Sequence, residues 1–316
     1  MTHTITVIPG DGIGAEVIPA AVAALEALDL PLAFQYAEAG FGTFERGGEA
    51  LPADTIVACA ASDAVLFGAT SSPMTRVPGY RSPILALRRQ FDLYANLRPA
   101  LGVGIDLLVV RENTEGLYSG RERLEDGGAT AIAERVITAR ASERIARIAC
   151  EQARQRRGRL AVVHKANVLK ETCGLFRRAA LDVAAGYPDL AVDELLVDAA
   201  AMWLARDPGR FDVIVTTNLF GDILSDLAAG MAGGLGLAAS ANVGGGRPAL
   251  FEPVHGSAPD IAGQGTADPR AAILSAALLL DHLGCAAEGE RLRRAAYATP
   301  HTGDAGTTAQ AIIARI

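Results

Sequence analysis

Residues 7–19 read VIPGDGIGAEVIP, and the three glycines in this segment, Gly10, Gly12 and Gly14, pose the first structural question. A short apolar run at 5–8 precedes them and an alanine-rich helical pattern follows, so the local order is strand, turn, helix. A dinucleotide-binding glycine loop sits at such a junction. Here, however, the spacing is G-x-G-x-G, and Ala15 stands where a third, close-packing glycine is sought. On its own the segment is weak evidence for nucleotide binding.

Farther along, β-type apolar runs at 4–8, 64–67, 107–110, 160–164, 195–197 and 213–216 alternate with helical patterns, the first helix covering about 15–28. This alternation predicts an α/β fold with a largely parallel sheet. The polar segment 119–135, with Gly127 and Gly128, reads as an exposed hairpin or arm, or as a solvated loop. No Pro/Ser linker marks a domain boundary, so a second domain is expected as an insertion in the first.

The chain of 316 residues is half hydrophobic, which excludes disorder as its main state. A formal charge of −7 argues against nucleic acid or an anionic membrane as partner. An anionic substrate is still allowed if positive charge is concentrated locally. Four scattered cysteines without C-x-x-C spacing give neither a zinc site nor a disulfide framework, and a reducing cytoplasm is expected. No basic-then-apolar leader is read at the start, and the longest apolar run, 271–280, is too short to span a bilayer.

Chemistry concentrates in three segments. In GDILSD, 221–226, Asp222 and Asp226 are i,i+4 neighbours on a predicted helix, so both carboxylates project from one face. Like charges repel there unless an Arg or solvent offsets them, or unless they bind a hard cation such as Mg²⁺ or Mn²⁺. LRRQFDLYANLRP, 87–99, and RENTEGLY, 111–118, place Arg88, Arg89, Arg98 and Arg111 near strand and helix ends. Singly, each reads as a surface ion pair; clustered beside candidate metal ligands, they suit a substrate with several carboxylates. In HKANV, 164–168, Lys165 directly follows a strand; a metal and arginines beside it would lower its pKa, as a general base requires. His164 reads more as a satisfied structural histidine than as a ligand and is left unassigned.

GDGIG, DLYANLRP, RENTEGLY, HKANV, TTNLFGDILSDLAAG and EPVHGSAPDIAG together resemble the β-decarboxylating dehydrogenase family of isocitrate, 3-isopropylmalate and homoisocitrate dehydrogenases, in family order over most of the chain. The resemblance implies that family's non-Rossmann fold, two α/β domains sharing a cleft. It assigns residues 1–98 plus 248–316 to a large cofactor-binding domain and 99–247 to a small dimerisation and metal-binding domain. The GDGIG loop then lines the cleft, and the cofactor loop is HGSAPDIAG, with His255, Gly256, Ser257, Ala258, Asp260 and Ile261, aided by Asp268 near the adenine. Asp260 and Ile261 match the NAD-specific pattern, since a carboxylate accepts from a ribose 2′-hydroxyl but repels a 2′-phosphate.

The same resemblance makes Asp222 and Asp226 metal ligands for Mg²⁺ or Mn²⁺, with Asp198 supplied by the partner subunit. Arg88, Arg98 and Arg111 become carboxylate clamps, Tyr118 and Lys165 the acid–base pair, and Asn167 a contact to substrate and nicotinamide. Lys165 would reach across a homodimer with shared active sites, dimer against tetramer being left open.

Residues 70–89, TSSPMTRVPGYRSPILALRR, read as the helix before the arginines, its side chains facing the variable group on the substrate's C3, and look most like homoisocitrate dehydrogenases. Ser72 suits a terminal carboxylate, and Leu85 stands where members that also accept isocitrate carry Arg. The implied activity is NAD-dependent oxidative decarboxylation of homoisocitrate to 2-oxoadipate in lysine biosynthesis by the aminoadipate route. Isocitrate and 3-isopropylmalate are the alternatives within the family. A non-catalytic regulatory subunit, a Rossmann 2-hydroxy acid dehydrogenase and a metal-dependent binding protein are the rivals outside that activity. Two departures stand out: Ala199 and Asp268 each replace an asparagine usual in the family.

Overall fold

The structure, a computed structural model, describes residues 2–316. Its strands, in chain order, are β1 (His3–Gly10), β2 (Leu32–Tyr36), β3 (Ala64–Ala69), β4 (Ala95–Gly102), β5 (Ile105–Glu112), β6 (Glu122–Glu125), β7 (Thr130–Ala133), β8 (Arg159–His164), β9 (Ala191–Leu196), β10 (Val213–Thr216), β11 (Ala239–Val243) and β12 (Ala249–Pro253). They belong to two compact units: one runs up to Leu93 and resumes at Gly234–Ile316, and the other is Tyr94–Gly233.

In the first unit the strands lie in the order β2-β1-β3-β12-β11. All pair in parallel except β11 with β12. β3, AVLFGA, is buried along its whole length, as expected of a parallel strand covered on both faces. The helices Gly14–Glu26 and Arg270–His282 pack against each other, and the second lies on β12. Ile8, Val65, Phe67, Leu87, Leu93 and Leu250 form a fully buried cluster of this unit.

In the second unit the order is β4-β5-β10-β8-β9. β10, β8 and β9 run parallel to β5, and β4 joins β5 by a tight antiparallel hairpin whose turn is Val103-Gly104. The helix Ala139–Gln155 shows why its sequence forms a helix. Thr138 caps it by accepting from Ala141 N (3.2 Å), and Ala141, Ile145, Ala149 and Ala153, at i+4 intervals, are buried. Val109, Val163, Leu204, Phe211, Ile214 and Leu224 form the core here. β6 and β7 pair only with each other as an exposed hairpin, the arm-like alternative for 119–135.

Within 70–89 only Pro83–Gln90 is helical. Proline is well placed at the first turn of that helix, while Pro73 and Pro78 break any helix before it. Ser72 therefore sits on an exposed loop, and of the proposed specificity residues only Leu85 lies on the helix. Among the described residues no helix is long and apolar enough to cross a membrane.

Candidate active site

The antiparallel register of β4 and β5 sets Asn96 directly opposite Arg111. Arg98, two residues from Asn96, projects from the same face. The helix Asn218–Met231 covers this face, and its positions 218, 222, 225 and 226 form one stripe at i+4, i+7 and i+8. Strand pairing and helical period together thus bring the candidate arginines onto the candidate metal aspartates.

The result is one network. Arg98 Nη1 donates to Asp222 Oδ1 (3.0 Å), Asp226 Oδ1 (3.2 Å) and Ser225 Oγ (2.9 Å), while its Nε donates to Asn96 Oδ1 (2.6 Å). Arg111 Nη1 also donates to Asp222 Oδ1, and Tyr118 Oη donates to Asp222 Oδ2 at 2.5 Å. The Arg111 guanidinium lies 5.1 Å from the Tyr118 ring centroid, a cation–π contact. Arginine therefore offsets the repulsion between the i,i+4 aspartates. Burial, and then the bond to Asp222, raise the Tyr118 pKa and keep its proton in place. Burial likewise raises Asp226 despite Arg98.

Two carboxylates on one helix face offer hard oxygen donors of the kind Mg²⁺ or Mn²⁺ takes. Among the described residues of one chain, no group of three His, Cys, Asp or Glu converges as a metal site. Asp198 instead pairs with Lys165, whose Nζ donates to Asp198 Oδ1 at 2.6 Å. Its side chain is 65% exposed in the first turn of the helix Val197–Arg206, and the Lys165 bond lowers its pKa. Asp222 and Asp226 fit as two ligands of such a site, with the remaining positions to be filled from elsewhere. Lys165, expected among arginines, meets an aspartate within its own chain. Asn167 is exposed in the turn after β8, and Ala199 is partly buried beside Asp198.

His164 proves structural. Its Nδ1 accepts from Ala166 N (3.1 Å), which leaves the proton on Nε2 to meet Glu194 Oε1 (3.2 Å), and burial lowers its pKa.

In the first unit Arg88 Nη2 donates to the buried Glu252 Oε1 (2.9 Å), which also accepts from Asn242 Nδ2 (2.8 Å). Arg88 Nε is buried with no partner among the described residues, a donor that an incoming carboxylate would satisfy.

The GDGIG loop is built for contact with protein backbone. Asp11 accepts from Phe41 N (2.7 Å), Gly42 N (2.9 Å) and Ser71 N (2.8 Å), so its own carboxylate occupies the amides that could otherwise cradle an anion. Gly12, at φ +56°, lies where any Cβ would collide with the Ser257 carbonyl oxygen, and Ile13 N donates to that oxygen (2.9 Å). The loop thereby seats residues 255–263. Ser71 Oγ bonds Ser257 Oγ (3.0 Å), and Tyr80, packed edge-on against Phe41 and Phe44, donates to Ser71 O (2.7 Å). The neighbour of Ser72 is thus held from both sides.

In the candidate cofactor loop, His255 Nε2 is buried without a partner among the described residues, and Asp260 and Gly256 are exposed. Ile261 is partly exposed, and Ala258 takes a left-handed conformation (φ 40°). The orphaned imidazole nitrogen leaves a donor or acceptor for a polar ligand such as a dinucleotide. Asp268 accepts bidentately from Arg270 and also from Arg270 N (3.0 Å), so its charge is offset and it caps the helix Arg270–His282.

Asn96, Ser225, Asn218, Glu252 and Asp11 are the site residues that motif spacing missed. Asn218 and Ser225 had a signal in the helical stripe through Asp222, and Asn96 in its i,i+2 relation to Arg98. Glu252 and Asp11 act through partners far away in sequence.

Glu115, between Arg111 and Tyr118, is buried and accepts from Thr138 N (3.0 Å) and Oγ1 (2.9 Å). Burial pushes its pKa to about 7. The folded chain thus holds a proton that the unfolded chain releases near 4.5, so this group's stabilising effect is lost as pH rises toward 7. Thermal unfolding from pH 5 to 8 should show a smaller fall in Tm for Glu115→Gln than for the wild type; equal falls would contradict the assignment.

The family model described as isocitrate/isopropylmalate dehydrogenase matches residues 4–312. The chain is 54% identical over 303 residues to the isocitrate/homoisocitrate dehydrogenase of Thermus thermophilus, covering 93% of this chain and 90% of the relative. It is 52% identical over 309 residues to the 3-isopropylmalate dehydrogenase of Archaeoglobus fulgidus, covering 95% and 92%. The crystal structure of isocitrate dehydrogenase from Methylococcus capsulatus superposes with a TM-score of 0.95 at 42% identity, covering 99% of each chain. The chain belongs to the isocitrate/isopropylmalate dehydrogenase family of β-decarboxylating dehydrogenases.

Proposed function

We propose that the chain catalyses NAD-dependent oxidative decarboxylation of a 3-substituted malate, with homoisocitrate, which gives 2-oxoadipate, CO₂ and NADH for lysine biosynthesis in the cytoplasm, preferred over isocitrate or 3-isopropylmalate. The convergence of Arg98, Arg111 and Tyr118 on Asp222 is the observation that carries it. In this scheme residues up to Leu93 and from Gly234 hold the cofactor, and Tyr94–Gly233 supplies the metal and the contacts to a second copy.

Each protein group has a defined task. Arg88, Arg98 and Arg111 bind substrate carboxylates, and Asn167 touches substrate and nicotinamide. Arg88 brings a buried Nε with no partner among the described residues, and Arg111 a desolvated guanidinium. Lys165 of a second copy removes the 2-hydroxyl proton. Asp222, Asp226 and Asp198 of that copy would hold Mg²⁺ or Mn²⁺, which lowers the hydroxyl pKa and stabilises charge on that oxygen. The loop from His255 to Ile261 would hold NAD, the hydride acceptor. Oxidation at C2 makes a β-keto acid, whose loss of CO₂ leaves C3 needing a proton. Tyr118 keeps its proton at neutral pH and gives it to C3. Leu85, partly buried and uncharged, lacks the charge-assisted bond that an Arg would offer isocitrate's carboxylate, an effect of roughly 1.5–3 kcal/mol.

Initial rates of NADH formation with homoisocitrate, isocitrate and 3-isopropylmalate, each with and without EDTA, test the assignment. The highest kcat/KM is expected for homoisocitrate, with chelation abolishing the rate. A preference for either other acid would overturn the roles of Leu85 and Ser72, and an EDTA-resistant rate would overturn the metal.

A further inference from the structure

The assigned arginines have a support that the proposed chemistry does not use. Asn218, 0% exposed, opens the helix that carries Asp222 and Asp226. Its Oδ1 accepts from both Arg111 Nε (3.0 Å) and Arg111 Nη2 (2.7 Å), and its Nδ2 donates to the Glu115 carbonyl (3.2 Å). One edge of the guanidinium is thus gripped along its length, and Nη1 is turned toward Asp222. One helical turn on, a Cβ added at Gly221 would lie 2.7 Å from both Cβ and Cγ of Arg111, so the stem of the arginine crosses the helix only because that position has no side chain.

We propose that Asn218 is a positioning residue: its neutral amide, with Gly221 clearing the path, fixes the orientation of Arg111 without neutralising its charge. Three features support a clamp over simple packing. The contact is bidentate and fully desolvated, a geometry that specifies direction. The acceptor is an amide, so the positive charge stays available for an anionic partner, whereas a carboxylate at 218 would compete with Asp222 and with substrate for it. The other end of the amide is tied to backbone, so the clamp cannot swing away with the arginine.

This inference rests on the proposed function for its activity readout, and the tests separate the two. Asn218→Ala should raise KM for the tricarboxylate about tenfold or more, with kcat changed much less and KM for NAD unchanged. In an Arg111→Ala background the same substitution should have no further effect on KM. Added guanidinium chloride should partly rescue Arg111→Ala, and about tenfold more should be needed once Asn218 is also Ala. Asn218→Asp should also raise KM, because its carboxylate draws off the charge of Arg111 and loses the tie to the Glu115 carbonyl. Gly221→Ala should show the same KM signature as Asn218→Ala, although Gly→Ala inside a helix is ordinarily stabilising. It keeps the test open should Asn218→Ala fail to fold.

Additive effects of the Asn218 and Arg111 substitutions, or guanidinium rescue indifferent to Asn218, would overturn the clamp. If the wild type turns over none of the three acids, the functional proposal fails. The clamp is then judged on thermal unfolding of the chain without ligands. There the Asn218→Ala and Arg111→Ala losses in Tm should be strongly non-additive, and additivity would overturn it.

Discussion

Asp222→Asn should lower kcat/KM for the preferred tricarboxylate by on the order of 10³-fold and abolish Mn²⁺ binding seen by calorimetry, while the helix content remains that of the wild type. The size follows from what one carboxylate does. Asp222 Oδ1 receives Arg98 and Arg111, and Oδ2 receives Tyr118. Asparagine keeps the shape but has a single acceptor. With its oxygen toward the arginines, the amide turns its NH₂ to Tyr118, which must reverse its hydroxyl and accept; turned the other way, the NH₂ faces the donor-only arginines. Removing the negative charge also takes an ion-pair partner from Arg111, which is 1% exposed, a loss that buried charges tolerate poorly. Unchanged Mn²⁺ binding, or a loss in rate below about tenfold, would remove Asp222 from the proposed centre.

Lys165→Met should be equally inactive, because a positioned general base contributes roughly 10²- to 10⁴-fold. Mixing it with Asp222→Asn should then restore activity. Lys165 and Asp198 form a pair of their own within one chain, and no three acidic or imidazole groups of one chain converge on a metal position among the described residues. If each active site takes Lys165 from one copy and Asp222 from the other, a reassorted heterodimer has one intact site. An equimolar mixture, unfolded and refolded together, should recover about one quarter of wild-type activity, from half the dimers with half their sites. No recovery above the two separate variants would mean that each site draws both residues from one chain.

Much of the fold could be read from residue patterns. The all-buried runs AVLFGA and VIVT could hardly be anything but covered parallel strands, and the i,i+4 pair Asp222 and Asp226 does share a helix face. The fusion of arginines and aspartates into a single network was not legible. It depends on the register that sets Asn96 across from Arg111, and on which helix then covers that face. Register is a long-range property, and a slip of one residue would have turned Arg98 and Arg111 away. Glu252 beside Arg88, and Asp11 beneath Ser71, were hidden for the same reason, their partners being 164 and 60 residues away. The helix expected to carry Ser72 stops short at Pro83, where prolines and a glycine turn outweigh the surrounding apolar residues. The glycines of GDGIG were conspicuous in the sequence, but their purpose became clear only with Ser257 packed on Gly12.

In the proposed reaction one site oxidises C2 and expels the carboxylate on C3 as CO₂. This is tested most directly by measuring NADH and CO₂ together from a limiting amount of homoisocitrate with Mn²⁺ present. One CO₂ for each NADH, both lost in Asp222→Asn, is the predicted result. NADH without CO₂ would reduce the protein to a simple hydroxy-acid dehydrogenase and contradict the account.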